Sequence, residues 1–348
     1  MDTDSLVRPN IRALKPYHSA RQDFLSGILL DANENSFGST LPGVTPALNR
    51  YPDPYQRALR SRLSELNGIP AENIFVGVGS DEVIDILIRI FCEPERDSVL
   101  LLEPTYGMYR VAASIQNAKI RSCLLTKDFQ IDVPETKKAF DTSVKIIFCC
   151  SPNNPTANIL RTEDILELCT LNSIVVVDEA YFDFAGTPSL AVHIEKIPNL
   201  IVMRTLSKAW GLAGVRLGFC FAAQNIISYM MKVKAPYNIN ALTGAAAFMA
   251  LGNLQLMQTT LAGILKERKW LAGQIAILPR VRNVYPSDAN FLLVRCTGAA
   301  EIYSALAEKN IIVRNRSTEP LLNNCLRITV GTHEENEALI STWKEIFR

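Results

Sequence analysis

The chain has 348 residues, 48% of them hydrophobic, with 36 Lys+Arg against 35 Asp+Glu. A net charge of +1 without a basic block removes the electrostatic footprint of a nucleic-acid binder, and 20% charged residues amid ample Leu, Ile and Val exclude a disordered chain. Domains run to about 100–200 residues, so the length predicts one large globular domain and one smaller one.

Residues 1–44 are irregular and rich in Pro, Gly and Asn, with only Ile28-Leu29-Leu30 resembling a strand. They are expected to form an N-terminal arm and part of the small domain. A helix start follows. Asp53 can cap it, Pro54 suits the first helical position, Gln56 completes a capping box, and Leu59, Leu63 and Leu66 mark one face before Gly68. Short apolar runs then alternate with helical patterns. The strand candidates are Ile74–Val78, Ser98–Leu102, Lys145–Cys150, Ile174–Val177, Leu200–Met203 and Leu217–Phe221. Such continuous runs suit strands buried on both faces. Residues 45–272 therefore read as an α/β large domain, its mostly parallel sheet flanked by helices. Beyond residue 272, strands near Asn290–Val294, Ile311–Val313 and Leu326–Val330 alternate with helices near Ala299–Lys309 and Glu334–Phe347. This predicts a smaller α+β domain over 273–348.

Residues 235–265 carry no charge, but Asn238, Asn240, Asn253, Gln255 and Gln258 interrupt them. A membrane span needs about 20 predominantly apolar residues, so a helix buried in the core or at a subunit interface is expected instead. The start, Met1-Asp2-Thr3-Asp4, lacks the basic and apolar regions of a secretory signal, and the expected location is cytoplasmic. The eight cysteines form no C-x-x-C pair, and His18, His193 and His333 fit no familiar zinc spacing with them. They read as buried, reduced thiols, with Cys149 and Cys150 pointing to opposite faces of one strand. No metal is expected.

Ligands of an open parallel sheet sit beyond the carboxyl ends of its strands. There the sequence places Gly77-Val78-Gly79-Ser80-Asp81-Glu82, Ser151-Pro152-Asn153-Asn154-Pro155-Thr156, Asp178-Glu179-Ala180-Tyr181 and Thr205-Leu206-Ser207-Lys208. The first invites a dinucleotide reading, but Glu82 replaces the third glycine of G-x-G-x-x-G. A phosphate held by the free amides of Ser80 and Asp81 needs no such glycine. Lys208 follows a buried-type strand, with Thr205 and Ser207 before it and Arg216 eight residues after it. Hydroxyls and an arginine to hold a phosphate make a Schiff-base lysine sensible there, although a lone lysine is usually a solvated loop residue. Asp178 ends an apolar strand, where a carboxylate wants a cationic partner such as a pyridinium N–H, or else acts as a helix cap. Tyr181 and Asn154 can donate to a phenolic oxygen, or simply shape turns.

Those segments, so spaced, resemble the fold-type I aminotransferases that use pyridoxal 5′-phosphate. Leu14-Lys15-Pro16-Tyr17, Asn33-Glu34-Asn35, Arg50-Tyr51-Pro52-Asp53, Pro104-Thr105-Tyr106 and Leu326-Arg327-Ile328-Thr329-Val330-Gly331-Thr332 narrow the resemblance to the histidinol-phosphate aminotransferase family, over nearly the whole chain. The resemblance implies that Lys208 holds the cofactor and moves a proton between substrate and cofactor, and that Asp178 keeps the pyridine nitrogen protonated. It implies that Asn154 and Tyr181 bind the ring hydroxyl, that Tyr106 stacks on the ring, and that Ser80, Asp81, Thr205, Ser207 and Arg216 surround the phosphate. It also implies a homodimer in which Tyr51 reaches the neighbouring site. Arg327 and Arg314 would bind the substrate anion, and Tyr17 would lie near the substrate on the arm. Arg316, two residues beyond Arg314, is the neighbouring control. Two positions depart from the family pattern. Ala157 stands where Gly is usual, which would cost about 1–2 kcal/mol at positive φ, and Ser36 stands where Pro is common.

The expected activity exchanges an amino group between L-histidinol phosphate and 2-oxoglutarate, in histidine biosynthesis. The alternatives are a decarboxylase of phosphorylated amino acids or an aromatic aminotransferase on the same cofactor. A transcriptional regulator of this fold would need a DNA-binding module, for which 348 residues leave no room.

Overall fold

The computed structural model describes residues 2–41, 43 and 46–347. Seven strands build the large sheet: β1 (Ile74–Val78), β2 (Ser98–Glu103), β3 (Lys119–Leu124), β4 (Val144–Cys150), β5 (Ile174–Asp178), β6 (Leu200–Thr205) and β7 (Leu217–Phe221). Their order is β1-β7-β6-β5-β4-β2-β3. The block from β6 to β3 is parallel, whereas β7 runs antiparallel to both β6 and β1. The continuous apolar runs have the cause expected of them. Ile147, Cys149, Val175 and Val177 enter the core on one face, while Ile146, Phe148, Cys150 and Val176 enter the core on the other. Cys149 and Cys150 thus part as the strand pleat requires, and all eight cysteines are buried and unpaired.

The small sheet is antiparallel, with β8 (Val281–Val284), β9 (Phe291–Cys296), β10 (Arg314–Asn315) and β11 (Cys325–Thr329) in the order β10-β11-β9-β8. The helices Ala299–Glu308 and His333–Ile346 cover it, and Leu306, Leu339 and Trp343 fill its core.

Several local expectations need correction. Ile28-Leu29-Leu30 forms no strand; Ile28 is 92% exposed and has no sheet to join. The Asp53 carboxylate accepts from the Tyr55 and Arg57 amides, but the helix begins only at Arg57 because Gln56 is left-handed at φ +46°. Gln56 therefore closes no capping box. Ile311–Val313 is not a strand, since Ile312 is 74% exposed and the ladder starts at Arg314. The uncharged stretch holds one helix, Ala241–Leu251, and the first half of a second, Leu254–Ala276, and no single core helix: Ala247 and Leu251 are buried, but Phe248, Met249 and Leu256 lie open on the surface of the chain. Among the described residues no helix is long and apolar enough to cross a membrane. Ala157 does take positive φ, at +69°, fully buried, and its carbonyl accepts from the Asp288 amide at 2.7 Å.

The turn into the helix Gly79–Phe91 is pressed against β7. The Gly79 amide donates to the Arg216 carbonyl at 2.9 Å, and a Cβ on Gly218 would lie 2.3 Å from the Ser80 nitrogen. Only glycine permits that approach, because the obstacle is backbone and cannot rotate away. Gly218→Ala is expected to cost about 3 kcal/mol, the upper part of the overpacking range, read as a lowered urea midpoint. An unchanged midpoint would show that the turn is free to move.

Candidate active site

The carboxyl ends of β5 and β6 and the turn after β1 deliver their polar residues to one cavity of about 250 Å³. Ser80 and Asp81 come from the helix start after β1, Tyr106 from the segment after β2, and Asn154 from the turn after β4. Asp178 and Tyr181 follow β5, Thr205, Ser207 and Lys208 follow β6, and Arg216 precedes β7. Arg327 reaches the same cavity from β11 of the small sheet.

Asp178 is 3% exposed and forms no ion pair among the described residues. One carboxylate oxygen, Oδ2, accepts from the Tyr109 hydroxyl at 2.7 Å, and the other, Oδ1, accepts from the Ala180 amide at 3.0 Å. Burial raises its pKa above the usual carboxylate value, against the pull of these neutral donors. Across the cavity, burial lowers the pKa of Lys208, and the nearby Arg327 cation lowers it further. A half-buried lysine whose charged form is disfavoured in this way is suited to act as a nucleophile or base.

Asp81 hydrogen-bonds the Tyr106 hydroxyl at 3.2 Å and Arg216 Nη2 at 3.1 Å. Its side chain therefore orients the tyrosine and the arginine, and only its backbone amide has the sign to face an anion. The Ser80 and Asp81 amides lie in the first helical turn, where no intrahelical carbonyl is available. Thr205 and Ser207 share a hydroxyl–hydroxyl bond at 2.9 Å. Glu82, where a dinucleotide loop would have glycine, accepts from the Val78 amide at 2.6 Å and from Asn238 Nδ2 at 2.8 Å.

A second cavity adjoins the first and shares Tyr106, Asn154 and Arg327 with it. Arg314, directly opposite Arg327 in the β10–β11 register, lines its wall. So does Arg316, paired to Glu319 at 2.6 Å, which makes it part of the same arginine face and no bystander. Arg327 Nη1 donates to Asn154 Oδ1 at 2.6 Å, which leaves the Asn154 amide nitrogen free to donate elsewhere. Among the described residues no three His, Cys, Asp or Glu side chains gather into a metal-binding group.

The family model for aminotransferase class I and II matches residues 27–342. The chain belongs to this family. It is 47% identical to the histidinol-phosphate aminotransferase of Cytophaga hutchinsonii over 344 residues, 98% of each chain. Its fold matches the crystal structure of the Clostridium acetobutylicum histidinol-phosphate aminotransferase, with a TM-score of 0.79 at 22% identity, covering 86% of this chain and 91% of that one. The Sinorhizobium meliloti histidinol-phosphate aminotransferase, solved in complex with pyridoxal-5′-phosphate, matches with a TM-score of 0.78 at 22% identity, over 86% and 83% of the two chains.

In this aminotransferase, neither Tyr51 nor Tyr17 reaches the two cavities. Tyr51 is half exposed and stacks on Tyr237, with ring centroids 4.4 Å apart. Tyr17 is 75% exposed and lines a separate hollow with Tyr55, Arg60 and Lys234. Conversely, Tyr109 escapes sequence reading. Its only signal is helical spacing with Ala112 and Ala113 on the buried face of the helix Met108–Ile115, which marks it as core. There it stacks on Phe148 at 4.4 Å and turns its hydroxyl to Asp178.

Tyr109→Phe is expected to cost about 1–3 kcal/mol, the penalty for a buried acceptor left without its donor. The ionised form of Asp178 is the costly one in the folded chain, so stability falls as pH rises through its raised pKa. The deficit of Tyr109→Phe should therefore be larger at alkaline than at acid pH in urea unfolding of the ligand-free protein. A pH-independent deficit would mean that the phenol supports packing alone.

Proposed function

We propose that this aminotransferase interconverts L-histidinol phosphate and 2-oxoglutarate with imidazole acetol phosphate and L-glutamate, in histidine biosynthesis, using pyridoxal 5′-phosphate. One observation carries the reading. The cavity that holds Lys208 and Asp178 opens onto a wall with Arg314 and Arg327, so an anion-recognising face lies beside a nucleophilic lysine. The 47% identity to a histidinol-phosphate aminotransferase along 98% of both chains supports the choice of substrate.

The residues fit the cofactor. Buried Asp178 lacks a cation, and a pyridinium N–H is one that can reach a carboxylate at a cavity wall. Ser80, Ser207, Arg216 and the first-turn amides supply donors for a phosphate, Thr205 orients Ser207, and Tyr181 and the free Asn154 amide supply donors for a ring oxygen. When bound, the cofactor supplies an electron sink for the charge that develops on the substrate as its Cα proton leaves. Lys208 Nζ would hold the cofactor and would move the substrate Cα proton; its lowered pKa keeps more of the amine neutral and so available for both roles. The Arg327 and Arg314 guanidinium groups orient the donor, their planar forks accepting a carboxylate or a phosphate alike.

In this reading residues 45–272 form the cofactor domain. Residues 273–348, with part of 1–44, bring the substrate arginines to it, and the enzyme works in the cytoplasm as a homodimer. Tyr51 borders an apolar groove with Ile239, Ala245 and Phe248, a surface suited to a second copy of the chain. Tyr51 then completes the partner's site, with Tyr17 on the arm near the substrate.

Purified protein loaded with pyridoxal 5′-phosphate should convert histidinol phosphate and 2-oxoglutarate to glutamate without releasing carbon dioxide. Carbon dioxide from a phosphorylated amino acid, with no glutamate formed, would favour the decarboxylase. Arg327→Ala should weaken single-turnover reactions with both donors by about 2–5 kcal/mol, the cost of leaving a buried anion unpaired. Arg314→Ala should hurt the phosphorylated donor more than glutamate. For the interface, inactive Tyr51→Phe and inactive Lys208→Ala chains should regain activity when mixed, because a heterodimer contains one site with both native residues. No regain after verified subunit exchange would argue that Tyr51 serves its own chain.

A further inference from the structure

Glu34 lines neither cavity, yet it is among the most heavily bonded carboxylates of the described residues. Its side chain is 3% exposed. Oε2 accepts from Arg21 Nη2 and from Arg50 Nη1, both at 2.7 Å, and Oε1 accepts from the Tyr51 backbone amide at 2.7 Å. Arg21 is equally buried, with its side chain 2% exposed. The Arg21 guanidinium and the Tyr51 amide hold the Glu34 carboxyl down at about 2, so it is charged throughout the working pH range.

These bonds close a loop. The backbone amide of Arg21 points at the Tyr237 hydroxyl at 3.4 Å, and the Tyr237 ring stacks on Tyr51 with an interplanar angle of 14°. Tyr51 is thus gripped at its backbone by Glu34 and at its ring by Tyr237, and both grips lead back to Arg21 on the arm. Its hydroxyl makes no hydrogen bond among the described residues and stands at the edge of the apolar groove. Buried ion pairs seldom repay their desolvation as stability and are better understood as devices that set geometry. Here the geometry set is that of one half-exposed tyrosine.

We propose that Glu34 is a positioning residue that locks the arm and the Tyr51 turn into one unit, so that each subunit presents Tyr51 to its partner's site in a fixed pose. This rests on the reading that Tyr51 acts across the interface.

Hybrid dimers test it. The Glu34→Gln homodimer should lose at least about tenfold in kcat/KM, since small misplacements of a positioned group carry losses of that order or more. Pairing Glu34→Gln with Lys208→Ala leaves one live site, in the Glu34→Gln chain, served by a Tyr51 whose own Glu34 is intact. That hybrid should reach the activity of wild type paired with Lys208→Ala. Pairing wild type with the Glu34→Gln/Lys208→Ala double variant should keep the full defect, because the live site then borrows a loosened Tyr51. In the cofactor-free protein, Glu34→Gln should also speed trypsin cleavage after Arg21 and Arg50, as local opening becomes easier. The opposite pattern between the hybrids, equal activities in both, or unchanged cleavage would overturn the proposal. If Glu34→Gln chains fail to fold, Tyr237→Leu, which removes the other grip, is carried through the same pairs with the same expectation. The mixture of Tyr51→Phe with Lys208→Ala separates the two claims. Without regained activity there, the cross-interface reading fails and this proposal with it; with regained activity but no asymmetry between the Glu34 hybrids, only this proposal fails.

Discussion

Asp178 places a carboxylate at the inner end of β5, 3% exposed, with a phenol and a backbone amide for company and no cation paired to it. A buried charge without a counter-charge is costly, and proteins keep one only where something else repays it. Much of the neighbouring structure serves this group. Tyr109 is held flat on Phe148 so that its hydroxyl meets Oδ2. Lys208 faces the same cavity with its own charge disfavoured by burial. The two groups are pushed in opposite directions by one cause, desolvation, each away from its charged form.

The rest of the cavity depends on the single strand that runs against the others. Because β7 is antiparallel to both β1 and β6, the chain must reverse just before it, and Arg216 sits at that reversal with φ +55°. The reversal brings Arg216 beside Asp81, at the start of the helix that follows β1. Gly218 then lets β7 press against that helix start closely enough for the Gly79 amide to bond the Arg216 carbonyl. The part of the cavity bounded by the first-turn amides, the Ser80 and Ser207 hydroxyls and the Arg216 guanidinium follows from this backbone geometry.

The small sheet adds the arginines. Cross-strand register sets Arg314 opposite Arg327, and the strand period puts Arg316 on the same face. Arg327 is anchored to Asn154 of the large sheet's loop, so the arginine-lined wall and the lysine cavity are held in register by a bond between the two sheets. The arm contributes differently, through a buried carboxylate that grips the Tyr51 backbone while the ring stays half exposed.

By itself the sequence determined the buried strands of the large sheet, because runs such as Ile174-Val175-Val176-Val177 are apolar on both faces and bounded by polar residues. It also determined that Asp178, Tyr181, Ser207 and Lys208 share one edge, since each lies at or within three residues of the carboxyl end of such a strand. It was silent on β3 and β8, edge strands whose residues are largely solvated and leave no apolar run. The direction of β7, the bond from Tyr109 to Asp178, the membership of Arg316 in the arginine face and the distance of Tyr51 from its own chain's cavity were decided by tertiary structure alone. The reason is physical. A strand's burial is written in neighbouring residues, but a hydrogen bond between residues 69 apart, or one between residues 173 apart, exists only once the sheets have brought them together.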